Sequence, residues 1–192
     1  MAEVEILIEG EFKKTKYKEL NKQLAPIVRT VFKEIVNTIE RKSKEFAAGT
    51  YQVPNHVGGQ ANHKIGQSES GYISTGKLSD SIEVTRSPVR GYSFSTTIKA
   101  NSPTASNVEF GTGIYGPNIQ TIKPKTPGGT LTFNTPKFGW VNVHEIKGQR
   151  PNPFMRGAVW WAKDHISEIA RSAQKEFKGS LIRSQLDISM EL

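Results

Sequence analysis

Gly111-Thr112-Gly113-Ile114-Tyr115-Gly116 has the G-x-G-x-x-G spacing of a dinucleotide loop. Such a loop works because its glycines admit the pyrophosphate and because it opens a helix whose N-terminus holds the negative charge. Here Pro117-Asn118 follows, then a Pro- and Thr-rich stretch without helical period, and no acidic residue stands about 20 positions on to hold a ribose. The segment reads as a glycine-permitted turn after a strand, and no cofactor is expected.

The other reactive types are scattered. His56, His63, His144 and His165 form no H-E-x-x-H or other short ligand spacing. His144 adjoins Glu145 and His165 adjoins Asp164, but sequence neighbours on a strand or helix point in different directions. Serines are plentiful, yet there is no G-x-S-x-G elbow. Asp80 and Glu83 stand three apart without the further carboxylates that two-metal chemistry needs. Trp140, Trp160 and Trp161 have faces on which bases can stack, although packing in a core or subunit interface is the plainer use of such rings. The chain has no Cys, which removes disulfides, thiol catalysis and Cys-based zinc sites. No catalytic or metal constellation emerges, and a non-enzymatic protein is expected.

The elements that would position these residues can be read from periodicity. Val4, Ile6 and Ile8 alternate with Glu3, Glu5 and Glu9, a strand whose polar face Leu7 interrupts. An amphipathic helix follows from about Tyr17 or Asn21 to Phe46, with Leu20, Leu24, Ile27, Val31, Ile35 and Ile39 on one stripe. Pro26 implies that the regular helix begins near it or kinks there. Residues 50–74 are polar and Gly-rich, a flexible loop or arm. Strands are expected at Ile82–Val84 and Tyr92–Ile98 with a turn at Ser87–Gly91, then at Val108–Phe110, Thr130–Phe133 and Val141–His144. A last helix starts with Asn152 as N-cap and Pro153 at its first position, carries an apolar stripe from Met155 to Phe177, and stops at Gly179. The expected fold is α+β: one domain over residues 1–179, an antiparallel sheet flanked by a long N-terminal and a C-terminal helix, with long Gly-rich loops. Residues 180–192 form a tail, either a loose end or a small docking segment.

Composition bounds the function classes. Hydrophobic residues make up 35% of 192, and the 17 Gly raise the share only to about 44%, against roughly 45–50% for ordinary globular chains. A core is feasible, with part of the chain left to polar loops or arms that an assembly would cover. No apolar run approaches the roughly 18–20 residues of a membrane span, and the first ten residues hold three acidic and no basic ones, unlike a secretory signal. Net charge is +8, and residues 111–151 supply half of it, with five basic residues against Glu145 alone. Those five, Lys123, Lys125, Lys137, Lys147 and Arg150, are candidates for meeting DNA phosphates or an acidic partner surface.

Three stretches taken in order resemble the small neck proteins of long-tailed bacteriophages, called tail-completion, head–tail joining or minor tail proteins. Thr75, Gly76, Leu78, Ser81 and Ile82 carry a "TG-x-L-x-x-SI" segment; Glu109, Phe110, Gly111 and Thr112 carry "EFGT"; Pro153, Phe154 and Ala158 carry "PF-x-x-x-A". Ile122-Lys123-Pro124-Lys125 and Leu131-Thr132-Phe133 add to the likeness, which spans about residues 75–177. It implies a structural virion protein, assembled in the host cytoplasm, that forms a ring with copies of itself, six-fold by preference and twelve-fold as second choice. It implies as partners a head connector or stopper and tail-tube or terminator proteins, with genomic DNA passing through the lumen. The alternative from a different class is a basic nucleic-acid-binding protein without enzymatic activity.

Overall fold

The computed structural model describes residues 4–12, 18–48, 76–86, 93–135, 138–173 and 186–191. The expected loop at 50–74, the turn at Ser87–Gly91, Thr75, Lys137 and the stop at Gly179 lie outside the described residues. The fold is α+β, as the periodicities imply. In chain order it runs β1 (Val4–Phe12), α1 (Lys18–Ala48), α2 (Lys77–Asp80), β2 (Ile82–Arg86), β3 (Ser93–Ala100), α3 (Ala105–Phe110), β4 (Leu131–Thr135), β5 (Gly139–Val143), α4 (Phe154–Asp164), α5 (Ile166–Ala173) and β6 (Leu186–Glu191).

Four strands make an antiparallel sheet in the order β2-β3-β1-β6. Strand alternation then sorts its two faces. Val4, Ile6 and Ile8 of β1 and Phe94, Thr96, Ile98 and Ala100 of β3 are buried, whereas Glu5, Leu7 and Glu9 are exposed. The buried face meets α1, whose Ile27, Val31, Ile35 and Ile39 recur at helical spacing and are all buried. The rings of Phe32 and Phe94 stack across this contact, 5.3 Å between centroids. α4 packs along α1 and adds Phe154, Met155, Ala158, Val159 and Ala162 to the same core. Lys42, also buried, lays its stem in the core, holds the Glu45 carboxylate at 2.7 Å and sits over the Trp161 ring.

Several expectations are corrected. α1 does not start near Pro26: it starts at Lys18 and continues through the proline, and the Thr30 hydroxyl donates to the Pro26 carbonyl. Val108–Phe110 is no strand but the end of helix α3, because Ala105 and Val108, one turn apart, both face the core. The last helix is two helices broken at His165. It begins at Phe154, with Pro153 as the residue before it and no side-chain bond from Asn152. The tail is not a loose end: residues 186–191 form β6, which pairs with β1 and completes the sheet.

Candidate functional site

The "EFGT" and "PF-x-x-x-A" stretches, 44 residues apart from Glu109 to Pro153 in sequence, come together at the N-terminus of α4. The Glu109 side chain is fully buried, and its carboxylate accepts the backbone N–H of Met155 at 2.8 Å and of Arg156 at 3.1 Å. Those are first-turn donors that the helix itself leaves without partners. Arg156 closes the arrangement: its Nε reaches the same carboxylate at 2.9 Å, its Nη2 donates to the Glu109 carbonyl, and its guanidinium covers the Phe110 ring. Glu109 thus supplies the cap expected of Asn152. Burial pushes its carboxyl above the ordinary range, while the Met155 N–H and Arg156 pull the other way.

A second junction follows directly. Thr112 donates its N–H to the Gln149 carbonyl and Ile114 its N–H to the Lys147 carbonyl, and Gln149 returns a bond to the Thr112 hydroxyl. The backbones approach so closely that only glycine fits. A Cβ on Gly113 would lie 2.0 Å from the Lys147 carbonyl oxygen, and one on Gly148 would lie 2.2 Å from that of Thr112. Both have positive φ, +65° and +93°. This is what the glycines of the G-x-G-x-x-G run do. The segment enters one short 3₁₀ turn, Gly113–Tyr115, not a phosphate-binding helix. The open groove beside it, about 340 Å³, is lined by such residues as Ser106, Asn107, Thr112 and Gln120 and by no ionisable side chain.

Everything between the two halves of this clamp is an arm. Ile122 and Ile146 exchange a pair of backbone bonds beyond it, and β4 and β5 form a hairpin of two strands in which Leu131 faces Val143 and Phe133 faces Val141. Neither strand makes more than marginal contact with any other helix or strand. Its apolar side chains Leu131, Phe133, Val141 and Val143 are only half-buried, and Phe138 and Trp140 are 70% and 73% exposed. Lys123 and Lys125 are exposed on the arm, and Lys147 and Arg150 are exposed at its base; Lys123 pairs loosely with Glu145 at 3.6 Å, and Arg150 lies over the Tyr115 ring.

The first motif stands apart from the other two. Gly76, with φ +81°, opens α2, Leu78 and Ile82 are buried beneath α1, and Ser81 donates its hydroxyl to the Leu78 carbonyl. Gly76 and Gly111 therefore both serve helix ends, and the turn at Gly111 follows a helix, not the strand expected before it. His144 bonds the Gly129 carbonyl, and His165 bonds the Trp161 carbonyl while stacking on the Trp161 ring. Among the described residues no three His, Asp or Glu side chains gather in a way that would hold a metal ion.

No family model, curated protein or solved structure matches this chain.

The sequence reading missed two functional features: the Glu109–Arg156 cap and the Gly113–Gly148 clamp. For the clamp a signal was available, since Gly148 precedes the "QRPNPF" run as Gly113 follows "EFGT". For Glu109 the hint was an acidic residue expected to lie between two apolar strand neighbours.

Proposed function

We propose that this chain is a non-enzymatic structural subunit of a tailed bacteriophage, a tail-completion or head–tail joining protein that acts as part of a ring in the neck. The observation that supports this best is the clamped arm. A two-stranded hairpin is marginal by itself in water, and this one leaves half-covered aliphatic side chains and two wet aromatic rings. A rigid base with an uncovered apolar end suits a part that finishes its burial against another molecule. The motif resemblance supplies the identity of that assembly: a virion neck, with a connector or stopper on one side and a tail tube or terminator on the other.

The exposed Trp140 on a basic arm favours a second reading, a nucleic-acid-binding protein that stacks bases and neutralises phosphates. The two are separated by deleting the gene from its source genome. The neck reading expects DNA-filled heads and unjoined tails, restored to joined particles by the wild-type gene. Normal joined particles after deletion would sink it.

A further inference from the structure

The exposed face of the four-stranded sheet is acidic. Glu5, Glu9 and Glu83 are exposed on it against Lys99 alone, which is already paired with Glu5. Among the described side chains the face thus holds three carboxylates and one lysine. On the same face stands Leu7, 38% exposed, an apolar residue where alternation calls for a polar one.

The arm is its counterpart in both respects. With its base it carries Lys123, Lys125, Lys147 and Arg150 against Glu145, beside half-covered apolar side chains. Neither hairpin strand packs on the sheet of its own chain. We infer that the arm of one copy docks on the Leu7 face of the next copy. This rests on the ring reading and names its interface. The two surfaces belong to different elements, so each copy offers both a donor arm and an acceptor face. Such contacts are heterologous, and repeating them gives a closed ring or a filament, not a symmetric dimer. Opposite charge would steer the encounter and set the register, and burial of Leu7 and the hairpin aliphatics would hold it.

The experiment is a charge exchange on the full chain, read by sedimentation velocity at low salt, with circular dichroism as the check on folding. Lys123→Glu with Lys125→Glu reverses the arm, and Glu9→Lys with Glu83→Lys reverses the face. The wild type should self-associate in a salt-sensitive manner, and each reversed protein should associate more weakly by about tenfold or more. The arm-reversed and face-reversed proteins, weak alone, should associate when mixed, because each acidic arm then meets a basic face and each basic arm an acidic face, and the quadruple variant, with both surfaces exchanged, should also recover association. A folded quadruple variant that stays at subunit mass would overturn the inference, as would a wild type showing no association at low salt. Closed rings that ignore all four substitutions would overturn it too, while leaving the ring reading standing.

Discussion

The guanidinium of Arg156 lies 2.9 Å from the carboxylate of Glu109, a side chain with no exposure to solvent. Through this pair and the two N–H groups beside it, α3 is fastened to the first turn of α4. The strand of chain that leaves α3 enters the arm, and the strand that returns from the arm enters α4. The cap therefore fixes the arm's base to the core. Removing Arg156 strips a buried carboxylate of its cation. Arg156→Ala should cost about 2–3 kcal/mol, towards the lower side of such losses because two backbone donors remain. Denaturant unfolding checks this, and an unchanged midpoint would show that the pair contributes nothing.

The same group sets a pH dependence. Burial holds the Glu109 carboxyl above its ordinary value in the folded chain. The folded state then binds more protons than the unfolded one between those two values. The contribution of Glu109 to stability is fully present below the ordinary carboxyl range and declines as pH rises through the raised value. The stability difference between wild type and Glu109→Gln should consequently fall as pH rises above the ordinary carboxyl range. A difference that grows with pH would contradict the burial argument.

Phe154 follows Pro153 into α4 and is wholly buried beside Met155 and Ala158. Phe154→Ala should destabilise the fold by about 3–5 kcal/mol, the usual cost of deleting a buried aromatic ring. A melting temperature equal to that of the wild type would refute its role as the anchor of that helix.

At the clamp, Gly113→Ala and Gly148→Ala each place a Cβ inside the opposite backbone and force an L side chain to positive φ. The left-handed conformation alone costs about 1–2 kcal/mol. Because the strain sits at the arm's base, the expected effect is local. Hydrogen exchange should speed up at the amides of Thr112, Ile114 and Gln149 while the amides of β1 and β3 keep their protection. Unchanged exchange at those three amides would show that the backbones can part without consequence.

The parts of the fold that were legible are those with a sustained period. Ile27, Val31, Ile35 and Ile39 mark the core stripe of α1, and Val4, Ile6 and Ile8 mark the inner face of β1. The failures have equally local causes. α3 is six residues long and too short to show a helical period, so Val108 and Phe110 flanking Glu109 imitate strand alternation. β6 is only six residues long, and its place beside β1 depends on a pairing across nearly the whole chain. At the candidate site, residue types were readable but partnerships were not: nothing in the order of the sequence sets Glu109 on the N–H of Met155.

The proposed role, a repeated structural part of a virion neck, has a direct test. The direct measurement is cryo-electron microscopy of the particles made by its source genome, with the chain's copy number per particle taken from quantitative mass spectrometry. The account predicts one closed ring at the head-proximal end of the tail, six copies by preference and twelve as the second choice, with each arm against its neighbour. Particles in which the chain is missing, or present as a single copy, would contradict it.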